Sequence, residues 1–132
     1  MKKIKWGIIG LGKIANKFAK DLVYVDNAEL YGVASRSLKN AKEFSEKHSA
    51  KVAYGSYEEL MEDTEVDVIY IATPHSFHHE LTLKCLQHKK AVLCEKPFAM
   101  NLEEAEEMIA LSEQKKLFLM EALWTRFLPH FQ

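Results

Sequence analysis

The sequence predicts a doubly wound α/β fold: a parallel sheet of about six strands with helices on both faces. Two observations carry this. Short runs of β-branched and other apolar residues alternate along the chain with blocks of helical period. The first of those runs also leads at once into a glycine-rich turn that opens a helix. Right-handed crossovers between parallel strands then leave few topologies.

The elements follow in order. Ile4 to Ile9 is a nearly continuous apolar run, the mark of a strand buried on both faces. After Gly10-Leu11-Gly12, the apolar positions Ile14, Phe18 and Leu22 recur at helical spacing, with Ala15 and Ala19 beside them. Leu30 to Ala34 reads as the second strand, and Leu38 to Lys47 as a helix with Ala41 and Phe44 inward. Lys51 to Tyr54 is a short third strand. Ser56-Tyr57-Glu58-Glu59 has capping-box spacing and should start a short helix.

The strongest strand signal is Val66 to Ala72, VDVIYIA. Phe77 to His88 reads as helix and Ala91 to Cys94 as strand. Asn101-Leu102-Glu103-Glu104 opens a helix to about Lys115. Phe118 to Met120 is the sixth strand, and Trp124 onward is mixed and amphipathic. There is no internal repeat, low-complexity segment or linker.

Composition narrows the class. The 132 residues are 48% hydrophobic and 28% charged, with 5 Gly and 3 Pro, which suits one folded domain and not a disordered chain. The 18 basic and 19 acidic residues nearly cancel, to a formal charge of −1, without the excess of Lys and Arg that a nucleic-acid binder carries. Lys2, Lys3 and Lys5 form a small positive patch, but the apolar run after them is too short for a signal peptide. No stretch approaches the roughly 20 apolar residues of a membrane span. Cys85 and Cys94 do not suggest a disulfide framework, and a reducing cytoplasm fits.

Gly10-Leu11-Gly12-Lys13-Ile14-Ala15 matches G-x-G-x-x-A between a strand and a helix. The first glycine makes the tight turn, the second lets backbone approach a pyrophosphate, and the small third residue lets helix and strand pack closely. The helix N-terminus then faces the phosphate charge. A site for NAD places an acid about 20 residues on, at the end of the second strand. Here that strand ends in Ser35-Arg36-Ser37. A guanidinium and two hydroxyls suit a ribose 2′-phosphate, so NADP is the expected cofactor and NAD the alternative. Ser37 is also placed to cap the following helix.

Two further loops sit at strand ends, where ligands bind in open α/β sheets. One is Ala72-Thr73-Pro74-His75-Ser76-Phe77-His78, the other Glu95-Lys96-Pro97. Lys96 is the candidate catalytic residue. Partly buried, it could have its pKa lowered for proton transfer, or it could orient a substrate oxygen as a cation. Pro97 could follow a cis peptide. His75, His78, His79 and Glu80 do not have metal-site spacing, so no metal is expected. His75 is expected to line the groove and His78 to cap or line the helix start. His79 is expected to be solvated, and His48, His88 and His130 to lie at the surface.

In order, GLGKIA, ASRS, ATPHSFH, CEKP and EALWTRFLP resemble the glucose–fructose oxidoreductase / inositol dehydrogenase (Gfo/Idh/MocA) family of NAD(P)-dependent oxidoreductases. The last block is similar to a branch that includes dihydrodiol dehydrogenases. The resemblance implies a Rossmann-type cofactor domain over residues 1–121. Residues 122–132 would begin an exit helix toward a second, substrate-binding domain that lies beyond this chain.

It also implies roles. Gly10, Gly12, Lys13 and Ile14 would hold the pyrophosphate, and Ser35, Arg36 and Ser37 the adenosine ribose phosphate. Ala72, Thr73, Pro74, His75 and His78 would line the groove, although the family often has Asn where this chain has His75. Glu95, Lys96 and Pro97 would sit at the nicotinamide ribose and ring, with Trp124 and Arg126 nearby. The implied reaction is hydride transfer between NADP(H) and a secondary alcohol or carbonyl of a sugar, polyol or dihydrodiol. The partner is a small molecule, with neither nucleic acid nor membrane, and the full protein is expected to be a homo-oligomer. Alone, these residues would bind cofactor with little or no turnover. Trp124, Phe127, Leu128 and Phe131 would leave an apolar patch prone to self-association. The competing reading is a non-catalytic dinucleotide sensor or interaction module. A methyltransferase with a similar loop explains neither EKP nor the basic strand end.

Overall fold

A computed structural model describes residues 2–122. Six parallel strands form one sheet in the order β3-β2-β1-β4-β5-β6. They are β1 (Ile4–Ile9), β2 (Ala28–Ala34), β3 (Val52–Tyr54), β4 (Val68–Ile71), β5 (Ala91–Glu95) and β6 (Leu119–Ala122). The helices are α1 (Lys13–Leu22), α2 (Leu38–His48), α3 (Tyr57–Glu62), α4 (His78–Gln87) and α5 (Leu102–Lys115). This is the expected doubly wound sheet.

Alternating side chains sort the helices onto the two faces. Ile9, Ile69 and Ile71 share one core with Leu60 and Met61 of α3 and Leu81, Cys85 and Leu86 of α4, with Leu111 of α5 packed against it. Ile8, Val33 and Tyr70 face the other way, onto Ala15, Phe18, Ala19 and Leu22 of α1 and Phe44 of α2. Chain order and sheet order reverse at β1 and β4. The strands wind outward one way from β1 to β3, then cross back to β4 and wind the other way. That reversal opens a crevice at the C-terminal strand ends, between the loops after β1 and β4.

Several boundaries differ from the sequence reading. β2 starts two residues earlier than Leu30. β4 is shorter than VDVIYIA, yet the Asp67 and Ala72 N–H groups still donate to the Lys5 and Ile9 carbonyls at 2.8 Å each. The segment expected as helix from Phe77 begins as a 3₁₀ turn, His75–Phe77, and α4 proper starts at His78. β6 runs to Ala122, one residue past the expected edge of the cofactor domain, and Phe118 stays outside it and exposed. The expected exit segment, with Trp124, Arg126, Phe127, Leu128, His130 and Phe131, otherwise lies outside the described residues.

Both cysteines are buried free thiols; burial pushes Cys94 up to about 12 and raises Cys85 further. Among the described residues no helix is long and apolar enough to cross a membrane, and no group of three His, Cys, Asp or Glu is placed to hold a metal.

Candidate functional site

Strand register gathers the four loops on one edge. Ala34, Ile9, Ile71, Cys94 and Glu121 lie side by side across the sheet. The next residue of each of these strands opens its loop: Ser35, Gly10, Ala72, Glu95 and, ending β6, Ala122.

The two loop glycines serve different purposes. Gly10 has φ +91°, and a Cβ there would stand 2.6 Å from the Thr73 backbone nitrogen. Only glycine accommodates both the left-handed turn and that approach to the β4–α4 loop. A Cβ on Gly12 would meet nothing within 4 Å. Gly12 is also the N-cap of α1 and offers no side-chain acceptor, and no acid lies in the first turn. The N–H groups there are therefore open to an anion in free space. The third small residue, Ala15, is fully buried between α1 and the sheet, as the fingerprint requires.

At the end of β2, Ser35 Oγ accepts the Ser37 N–H at 3.1 Å, and Ser37 Oγ accepts the Asn40 N–H at 3.3 Å, capping α2. Each hydroxyl keeps its own proton to donate. Arg36 between them is exposed and makes no ion pair among the described residues. It lines a cleft with Thr73 and Pro74. Ser35 instead opens on a neighbouring groove with Leu11, Asn16 and Asn40.

The cleft includes residues that the sequence reading gave no cofactor role: Tyr57 and Glu58 of α3, Phe77, and Glu80, Leu81 and Lys84 of α4. Phe77 is half exposed although apolar, which suits a flat ligand face. Their signal was weak, because α3 and α4 come to Arg36 only through the sheet.

His78 corrects its expectation. It is 1% exposed, with Nε2 2.9 Å from the Thr73 carbonyl oxygen and Nδ1 2.8 Å from that of Pro97. It ties the β4–α4 loop to the Glu95-Lys96-Pro97 loop from behind and does not line the groove. His75 is exposed at the edge. His79 is not solvated: it sits half-buried, 3.8 Å from a Glu104 oxygen and 3.6 Å from one of Glu107. His48 is half-buried too, against the Phe44 ring and 2.7 Å from Asn16 Oδ1, and desolvation lowers its pKa.

The Glu95-Lys96-Pro97 loop is held on several sides, and the Lys96–Pro97 peptide is cis. Tyr70 of β4 donates its hydroxyl to Glu95, and Glu121 of β6 accepts the Phe98 N–H at 2.7 Å. Neither partner was legible as a site residue. Lys96 itself is exposed and not partly buried. It stands as a cation at the strand edge.

A dinucleotide fits the residues present. The space over Gly12 is open, the first-turn donors of α1 lack a side-chain acceptor, and Thr73 Oγ1 in the cleft wall is buried without a partner among the described residues. Fold and site together define a dinucleotide-binding domain of the doubly wound class.

The family model described as oxidoreductase family, NAD-binding Rossmann fold (Gfo/Idh/MocA) matches residues 4–123, and the chain belongs to that family. It is 48% identical over 128 residues to the trans-1,2-dihydrobenzene-1,2-diol dehydrogenase of Danio rerio, covering 96% of this chain and 38% of that one. The Homo sapiens protein of the same name is 47% identical, again over 96% of this chain and 38% of its own length. Among solved structures, an NAD binding oxidoreductase from Klebsiella pneumoniae superposes with a TM-score of 0.93 at 28% identity, over 98% of this chain and 36% of that one. KijD10, a 3-ketoreductase from Actinomadura kijaniata in complex with TDP-benzene and NADP, gives 0.87 at 32% identity, over 91% and 38%. The chain thus spans 38% of the length of these curated relatives.

Proposed function

We propose that this chain is the NADP(H)-holding part of an oxidoreductase acting on a secondary alcohol or carbonyl of a dihydrodiol, sugar or polyol. The observation that carries the reading is the open N-terminus of α1 over Gly12, on the same strand edge as an exposed Lys96 and an exposed Arg36 that makes no ion pair among the described residues. The names of the relatives support the substrate class, and the NADP in the KijD10 complex supports the cofactor.

In this reading, Gly10, Gly12, Lys13 and Ile14 hold the pyrophosphate with backbone donors and the α1 dipole. Arg36 takes the 2′-phosphate as a charged fork, and the Ser35 and Ser37 hydroxyls add donors. Ala72, Thr73, Pro74 and His75 line the crevice, and His78 braces its wall. Glu95 takes a hydroxyl of the nicotinamide ribose, and Pro97 ends the loop. The bound dinucleotide supplies or accepts the hydride. The Lys96 ammonium polarises the substrate oxygen and donates or recovers a proton at that oxygen. Trp124 and Arg126, expected near the nicotinamide, lie outside the described residues. Residues 1–122 make up the cofactor unit.

Titration of the chain with NADPH and NADH, read by tryptophan fluorescence, tests this. NADPH should bind more tightly, and Arg36→Ala should cost NADPH at least about tenfold while leaving NADH within about twofold. Equal losses for both would remove the NADP preference, and failure of wild type to bind either would overturn the cofactor reading.

A further inference from the structure

Tyr70 sits mid-sheet on β4 and is completely buried, yet it carries a polar group. A buried phenol needs a partner for its hydroxyl. Its acceptor is Glu95 Oε2, on the adjacent strand at the start of the Glu95-Lys96-Pro97 loop. Parallel pairing sets this up: Tyr70 lies opposite Leu93, so Glu95 is two residues further on and on the same face. Burial and the facing carboxylate raise the Tyr70 pKa, so the hydroxyl stays a donor. A bond from a neutral donor to a carboxylate is charge-assisted and directional.

The other side of the same ring packs on α1. Phe18 stacks on Tyr70 with centroids 4.0 Å apart and planes at 19°, and Trp6 meets Phe18 edge-on at 5.3 Å. The Tyr70 side chain therefore touches both the helix that begins at Gly12 and the carboxylate that begins the lysine loop. The remaining ties on that loop, from His78 and Glu121, engage its backbone at Pro97 and Phe98. The Tyr70 bond instead reaches the Glu95 side chain itself.

We propose that Tyr70 is a positioning residue for the nicotinamide half of the site, its hydroxyl fixing the Glu95 carboxylate that receives the nicotinamide ribose. The inference rests on the cofactor reading above. Tyr70 touches no ligand; it acts through Glu95.

The test compares two ligands on this chain by calorimetry: NADPH, which spans both halves of the site, and 2′,5′-ADP, which reaches only the adenosine half. Tyr70→Phe keeps the ring and its stacking on Phe18 and removes only the hydroxyl. NADPH affinity should fall about tenfold, or about 1.4 kcal/mol, with 2′,5′-ADP affinity unchanged. Glu95→Gln should show the same split, and adding Tyr70→Phe to it should cost little more, because both act on one interaction. A purely structural role predicts equal losses for both ligands, and an idle hydroxyl predicts none; either overturns the proposal. Full additivity of the two substitutions would also overturn it. Wild type that binds neither ligand overturns the cofactor reading itself, a distinct result.

Discussion

All five helices begin at the same edge of the sheet, but α1 and α5 begin in opposite ways. The α5 N-terminus is plugged by its own side chains: Asn101 Oδ1 accepts the Glu104 N–H at 2.9 Å, Glu104 Oε1 accepts the Met100 N–H at 3.0 Å, and Glu103 and Glu104 put negative charge in the first turn. Ser56 and Ser37 cap α3 and α2 in the same manner, and α4 continues from a 3₁₀ turn and carries Glu80 in its first turn. The start of α1 has only Gly12, with no capping bond, no acid and no atom where a Cβ would go. A helix left in that state forgoes about 1 kcal/mol of capping stabilisation. The difference teaches that the start of α1 is a port left open to an external anion, while those of α2, α3 and α5 are closed by their own side chains.

Closing that port should have the largest effect. Gly12 has φ −91° and ψ −158°, extended backbone that any residue adopts, so Gly12→Asp fits. The new carboxylate would cap α1 and complement its dipole, raising stability by about 0.5 kcal/mol. It would also fill the phosphate space with negative charge and cost more than about 100-fold in NADPH affinity. A thermal melt and a titration on one sample check both halves. Retained NADPH affinity would erase the contrast between the two helices.

The converse substitution should be smaller and of the opposite kind. Asn101→Ala opens the start of α5, costs about 1 kcal/mol and lowers the melting temperature by about 4 °C. NADPH affinity should not move, because α5 carries no site residue. A loss of cofactor affinity comparable to that in Gly12→Asp would mean that the edge responds as a whole and not at one port.

How far this contrast was legible depended on distance along the chain. Gly10 and Gly12, the Ser56 and Asn101 caps, and the six apolar runs are local patterns, and each could be read within a window of a few residues. Tyr70 and Glu95 are 25 positions apart and meet only because β4 and β5 pair in register. His79 looked solvated because its own helix says nothing of Glu104 and Glu107, which arrive with α5. Tyr57 joined the Arg36 cleft for the same reason: the crossover that brings α3 there is a property of topology and not of spacing. The loops at the strand ends were therefore foreseeable, and the residues that brace them were not.

The smallest expected effect concerns the far side of the open port. Asn16 Nδ2 donates to the Gly12 carbonyl at 2.9 Å, which turns its Oδ1 toward His48 Nε2, 2.7 Å away. Desolvation first, then Lys47 and Lys20, lowers the His48 pKa below its ordinary 6.5. The unfolded chain then binds a proton at this residue more readily than the folded one. The contribution to stability is complete above about pH 6.5 and is lost as pH falls through the lowered folded value. His48→Gln keeps an N–H donor for Asn16 without the titration. Its stability should consequently fall less than that of wild type between neutral pH and about pH 5, by a few tenths of a kcal/mol at this partly exposed position. Parallel pH–stability curves for the two proteins would show that His48 titrates alike in both states. The brace behind Gly12 would then be indifferent to protons.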